Sequence, residues 1–332
     1  MRLQHDNLQI FSEKDEAKIF ANKKIDKTKS AFVILADSEN LKDEFLKLGA
    51  DVVILGGQSK NPSVQEILNA IGKTEKENVY ILPNNKNVIT TAKIASEKSK
   101  KTVIVLNTKT MLDGYYFLKN KYSDIDELKE AASRNYSVEI TKAVRDTKIE
   151  DLSIEKDDFI GLINGKIKYA KKSLKEVTDA IIDDLVTKNT ITAVVVSGNE
   201  KDETAQKSIE EKLAELKTTI INGNQENYYY YLYIENKDPN MPEIAILTDS
   251  VSDLTNEDIE GLPIKIVPLK IDINGELYKD GVEISKSEFW HEMLDNDARI
   301  KTSQPSPQDF LNAYNKLFEK GYKKIISIHP SS

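Results

Sequence analysis

Between residues 31 and 106 the chain sets down four short apolar runs, at 31–36 (AFVILA), 51–55 (DVVIL), 78–82 (NVYIL) and 102–106 (TVIVL). The first three are each followed by a stretch with helical periodicity. Leu41, Phe45 and Leu48 form one stripe, and Val64, Ile67, Leu68 and Ile71 form the next, opened by a Ser63/Glu66 capping box. A third helical stretch covers residues 87–97. Runs of about five apolar residues that alternate with amphipathic helices are too short to be buried helices. They build βαβ units, and therefore a parallel sheet with both faces covered. The expected class is α/β.

After a helical stretch near 113–133 the pattern changes. Asn164-Gly165 stands between two alternating runs, which specifies a tight hairpin. Helix, a strand at 191–196, helix and further strands follow to residue 234. Residues 236–242 (NKDPNMP) are turn-rich and unpatterned, and beyond them strand and helix signals restart. The expected organisation has four parts: a leader or upstream remnant at 1–29, a parallel-sheet domain with an added hairpin-containing portion at 30–236, a linker at 237–242, and a further α/β lobe at 243–332.

Composition narrows function by exclusion. No apolar run approaches membrane-span length, and the residues from Met1 to His5 do not open a signal peptide. Without cysteine there is no disulfide, thiolate metal site or cysteine nucleophile, which suits a reducing, cytoplasmic location. Of the net charge of −8, residues 243–332 carry −6 (10 basic against 16 acidic) and the rest −2 (37 against 39). An acidic chain with no basic stripe is not built for nucleic acid or anionic membrane. For the same reason the tyrosines from Tyr228 to Tyr231 read as a strand buried on both faces and not as a base-stacking platform.

Three clusters of small hydroxyl residues mark the last ninety residues. Thr248, Asp249 and Ser250 close the apolar run 244–247. Thr302 and Ser303 lie just before a helix start at Ser306-Pro307-Gln308-Asp309. Ser331 and Ser332 follow the run 324–328. Hydroxyls at the carboxyl ends of parallel strands and beside helix N-termini can hold an anionic head group; the local alternative is that they only cap helices and shape turns. In the first part, Gly56, Gly57, Gln58 and Asn61, and then Asn84, Asn85, Lys86 and Asn87, each join a strand end to a helix start. These are candidate docking or anion loops, set against ordinary βα-turn chemistry. Gly-Gly-Gln also occurs in peptide release factors, but here it closes a buried-type strand. Asp37-Ser38 loosely echoes Asp249-Ser250. His5, His291, His329 and the carboxylates show no metal-ligand spacing, and no P-loop, nucleophile elbow or dinucleotide fingerprint is present, so no catalytic residue or metal is assigned.

Two resemblances follow from these motifs. Residues 243–332 resemble the first part of a DegV-family protein, through Thr248-Asp249-Ser250-Val251-Ser252-Asp253-Leu254, Val267-Pro268-Leu269, the turn at Gly281, Thr302-Ser303-Gln304-Pro305 and the segment from Ile326 to Ser332. That family is a fatty-acid-binding fold, and the resemblance implies that Thr302 and Ser331 or Ser332 hold the fatty-acid carboxylate, with Ser303 and Ser250 beside them. Residues from about 31 to 235 resemble the C-terminal region of the large subunit of bacterial fatty acid kinase, which is related to dihydroxyacetone kinase. The matching segments are 56–63, 81–87, 108–110 and 138–146.

Together the resemblances imply a fusion whose outer ends are truncated. It would be a non-catalytic part of a fatty acid kinase system, combining partner docking with binding and presentation of a fatty acid or acyl phosphate. Its expected partner is a kinase nucleotide-binding domain; ATP and magnesium belong to that domain, and no cofactor is expected here. A homo-oligomer is compatible with this reading. The rival readings are a dihydroxyacetone-type kinase fragment, with His329 as the group that would hold a small ketose, and an interaction module without a ligand.

Overall fold

The computed structural model describes residues 25, 29–57, 60–120, 131–200, 202–238, 240–255, 258–259, 262–294 and 299–329. They divide into two compact units with the boundary between residues 238 and 239. The α/β class expected from the alternation is the one observed in both.

Unit 1 begins with a parallel four-stranded sheet made of β1 (Ser30–Ala36), β2 (Val52–Leu55), β3 (Asn78–Leu82) and β4 (Thr102–Val105), in the order β2-β1-β3-β4. Every residue of the central strand β1 is buried. Strand β2 departs from the buried-type reading: it lies at the sheet edge, and Leu55 is 40% exposed. The crossovers are α1 (Glu39–Lys47), α2 (Val64–Gly72) and α3 (Lys86–Lys98). Each starts at a polar cap. Ser38 accepts from the Leu41 N–H, Asn85 from the Asn87 N–H, and Ser63 and Glu66 satisfy one another as the capping box expected from sequence. Helix α4 (Met111–Asn120) is buried from Met111 to Leu118, so it serves as an internal layer and has no amphipathic face.

A second sheet of six strands packs on this layer in the order β11-β10-β12-β5-β8-β9. It comprises β5 (Tyr136–Lys142), β8 (Phe159–Ile163), β9 (Lys166–Lys171), β10 (Thr190–Ser197), β11 (Lys217–Asn222) and β12 (Tyr230–Asn236), with β6 (Thr147–Ile149) and β7 (Leu152–Ile154) as a small separate hairpin. Only β10 and β11 pair in parallel. The β8–β9 hairpin turns at Asn164 (φ 51°) and Gly165 (φ 77°), the two left-handed residues that a type I′ turn requires. The tyrosine run falls on β12 and alternates as a two-faced strand must: Tyr231 and Tyr233 enter the core against the first sheet, while Tyr230 and Leu232 enter the core beneath α5 (Leu174–Leu185) and α6 (Glu203–Lys212).

Unit 2 contains a parallel sheet of β13 (Ile244–Asp249) flanked by β14 (Ile264–Val267) and β18 (Lys324–Ser327). An antiparallel sheet is built from β15 (Lys270–Ile273), β16 (Glu276–Lys279) and β17 (Ile300–Ser303), and helices α7 (Lys286–Leu294) and α8 (Pro307–Glu319) complete the unit. Ser306 caps α8 through a reciprocal box with Asp309, with Pro307 in the first turn as its sequence indicated. Ala313 and Leu317 of α8 cover Ala245 and Leu247 on one face of the parallel sheet. The opposite face is open, with Ile244, Ile326 and Ile328 exposed by 42%, 50% and 55%. Phe318, which the periodicity placed on the apolar stripe of α8, is half exposed. Among the described residues no helix is long and apolar enough to cross a membrane.

Candidate functional site

The carboxyl ends of the parallel strands in unit 2 gather a chain of polar side chains. Leu247 of β13 pairs with Ser327 of β18. Residues two positions further along each strand share that face, so Asp249 meets His329. His329 Nδ1 lies 2.8 Å from Asp249 Oδ2, its Nε2 lies 2.9 Å from Ser327 Oγ, and Ser327 Oγ lies 2.8 Å from the Tyr314 hydroxyl on α8. The Phe310 ring meets the imidazole edge-on, with centroids 4.9 Å apart.

Asp249 is buried, caps a short 3₁₀ turn (Ser250–Ser252) and accepts from the Val251 N–H at 3.0 Å. A carboxylate accepts only, so the Nδ1 hydrogen belongs to the imidazole and points at Asp249. In the neutral ring Nε2 is then an acceptor toward Ser327 Oγ, whose second hydroxyl neighbour is Tyr314. Both ring nitrogens of His329 thus have a partner within hydrogen-bond distance.

The hydroxyl cluster sits at the same end. Ser250 Oγ accepts from the Leu269 N–H at 3.0 Å. The next residue, Lys270, pairs with Ser303 on β17 and reaches Asp309 Oδ2 at 3.4 Å, while Ile271 pairs with Thr302. Ser250, Thr302, Ser303 and the start of α8 are therefore joined through Leu269 and the first two residues of β15. Thr302 and Ser303 are exposed, and among the described residues their hydroxyls have no hydrogen-bond partner. The Asp309 carboxyl is held below its ordinary value, first by the Ser306 hydroxyl and backbone N–H and then by Lys270. Ser331 and Ser332 lie outside the described residues.

The strand ends of unit 1 make a different site. Gly57 and Lys60 exchange two backbone hydrogen bonds, and a Cβ on Gly56 would stand 2.6 Å from the Lys60 carbonyl oxygen, so only glycine fits that turn. Asn85 Nδ2 donates to Asn61 Oδ1 at 3.3 Å, which ties together the loops after β2 and β3. Asn84 takes the left-handed conformation (φ 51°), its Nδ2 donates to the Leu35 carbonyl at 2.9 Å, and its backbone N–H donates to Thr108 at 3.0 Å. Asn84 and Asn85 are buried and committed to the turn, whereas Asn61, Lys86 and Asn87 are exposed. Gln58 lies outside the described residues.

Above these turns the two sheets meet along an acceptor-rich seam. Tyr231 donates to Asp37, Ser38 donates to the Gly223 carbonyl at 2.6 Å, and Asn40 donates to the Asn222 carbonyl at 2.9 Å. Burial raises the Asp37 carboxyl to about 6, partly opposed by the Tyr231 hydrogen bond. Glu139 of β5 is pushed up to about 8, first by burial and then by the charges of Asp113 and Asp37. Burial also raises Asp113, although the Lys109 and Thr110 N–H groups donate to it. Among the described residues no group of histidines and carboxylates could hold a metal ion.

Residues 31–235 match the family of FakA-like C-terminal domains, named for a component of fatty acid kinase. The chain belongs to that family. Behind this kinase-subunit-like domain, residues 243–332 match the DegV family, described as uncharacterised. Both families are those read from the motifs, in the same order. Protein YloV of Bacillus subtilis is 30% identical over 213 residues, covering 61% of this chain and 38% of its own length. An uncharacterised protein of Staphylococcus saprophyticus is 29% identical over 246 residues, covering 71% and 44%. The kinase-subunit-like chain thus spans less than half the length of these curated relatives. Among solved structures, a Thermotoga maritima protein described as revealing a fatty-acid-binding function superposes with a TM-score of 0.45 at 11% identity, covering 63% of this chain and 99% of that one. The dihydroxyacetone kinase from C. freundii, solved with AMP-PNP and Mg2+, gives 0.46 at 13% identity, covering 65% and 50%.

Sequence reading found the hydroxyl clusters and the Asp37-Ser38 echo but did not group Asp249, His329, Ser327 and Tyr314. The one available signal was spacing: Asp249 ends one parallel strand, and Ser327 and His329, two residues apart, end another.

Proposed function

We propose that this chain is a non-catalytic part of a fatty acid kinase system, in which unit 2 binds and presents a fatty acid or its acyl phosphate and unit 1 docks on a kinase partner. The observation that carries the reading is the pairing of two features in unit 2. The hydroxyls of Thr302 and Ser303 are exposed next to the N-terminus of α8 and have no hydrogen-bond partner among the described residues, and the parallel sheet leaves Ile244, Ile326 and Ile328 uncovered on one face. An acidic amphiphile needs a donor-lined seat for its head and an apolar surface for its chain. Membership of the kinase-subunit family and the DegV match supply the system in which such a ligand would be used. The exposed Asn61, Lys86 and Asn87 are the docking candidates in unit 1, the nucleotide and its magnesium would be held by the partner, and an absence of cysteine suits a cytoplasmic setting.

Titration with oleate tests the reading directly. Saturable binding is expected, and T302A should weaken it by about 10-fold or more, the worth of one hydrogen bond to a charged group. Equal affinity for oleyl alcohol would show that no acidic head is recognised and would sink the proposal. With ATP and oleate, this chain alone should give no acyl phosphate; steady turnover would overturn the non-catalytic part.

A further inference from the structure

We propose that Ser327 is a nucleophile toward activated acyl groups, prepared by His329 and Asp249; this is acyl transfer, distinct from the phosphoryl transfer that the chain is proposed not to perform. Three observations carry this. The distances of 2.8 Å from Asp249 to Nδ1 and 2.9 Å from Nε2 to Ser327 Oγ set acid, base and hydroxyl in the order that nucleophilic catalysis requires. The buried end sets the order: Asp249 takes the Nδ1 hydrogen, and in the neutral ring Nε2 is then the acceptor that faces Ser327 Oγ. Burial is graded in the same direction, because Asp249 is enclosed whereas Ser327, where an acyl carbon would arrive, is exposed. A simple tie between α8 and the sheet would require the Tyr314–Ser327 bond but not a base with its second nitrogen held by a buried carboxylate.

The chemistry balances without a further reactant except water. Ser327 Oγ attacks the acyl carbonyl while its proton moves to His329 Nε2, and Nδ1–H remains donated to Asp249. The bond from the acyl carbon to phosphate oxygen breaks, and the proton on Nε2 leaves with the phosphate. Water then attacks the seryl ester, giving one proton to Nε2; that proton returns to Ser327 as the fatty acid departs. The Tyr314 hydroxyl, 2.8 Å from Oγ, is placed to donate to the carbonyl oxygen as its charge grows. The naming of acyl phosphate as the natural substrate rests on the function proposed above, whereas the reactivity of Ser327 does not.

The test uses small probes that carry no carboxylate: p-nitrophenyl butyrate and a fluorophosphonate, with adducts located by peptide mass mapping. The expected result is an adduct on Ser327 that is absent in S327A, a change that removes one exposed oxygen and leaves the core untouched. H329N should slow its formation by about 100-fold. No adduct, an adduct on another serine, or labelling of H329N at the wild-type rate would each overturn the proposal. Oleate titration of S327A separates the two readings: binding retained with labelling lost upholds both, while labelling of the wild type without oleate binding removes only the natural substrate.

Discussion

Two carboxyls of unit 1 hold protons where exposed carboxyls would not. Glu139 rises to about 8 and Asp37 to about 6, from ordinary values of 4.5 and 3.8. The folded state therefore binds more protons than the unfolded chain between about pH 4 and about pH 8, and the stability present below that window is lost as pH rises through the two folded values. Melting curves at about pH 5 and about pH 8 should show a lower midpoint at the higher pH, and E139Q should raise the midpoint at pH 8 while changing it little at pH 5. A midpoint that does not fall between these pH values would refute the assignment. Of this seam, Asp37 was visible in sequence as part of a strand-end pair. Glu139 and Asp113 were not, because nothing local shows that β5 and α4 will bring their carboxyls within reach of it. The same holds for His329, which looked isolated until strand register set it against Asp249.

Elements were more legible than contacts, since capping and turn signals are local. Ser63 with Glu66, Ser306 with Asp309 and Asn164 with Gly165 all do what their spacing indicated. S306A should cost about 1 kcal/mol, measured as a fall in unit 2 stability by denaturant titration, with S63A giving a similar loss in unit 1. Gly165 offers a cleaner case, because nothing lies within 4 Å of the position a Cβ would take. Its φ of 77° makes G165A a purely conformational change, expected to cost about 1–2 kcal/mol; an unchanged midpoint would mean that the turn relaxes freely. Where element reading fell short, the cause was position within the sheet. The DVVIL run has a buried composition, yet β2 became an edge strand because strand order is not written in a run's own residues.

At the scale of the molecule, the contact boundary between residues 238 and 239 falls inside the turn-rich segment 236–242. Residues 29–238 expressed alone should melt cooperatively, and limited proteolysis should cut first within that segment; an unfolded product would show that unit 1 depends on unit 2. Strand order carries a further consequence for synthesis. β12 is the last strand of unit 1 to leave the ribosome, yet it occupies the middle of the six-stranded sheet between β10 and β5. Until residue 236 has emerged, the six-stranded sheet can exist only as β10–β11 and β5–β8–β9, separate pieces that each have a raw edge awaiting the same tyrosine-rich strand. A pause in translation just before that strand would thus expose two sticky half-sheets at once, whereas one just after it would leave a finished domain.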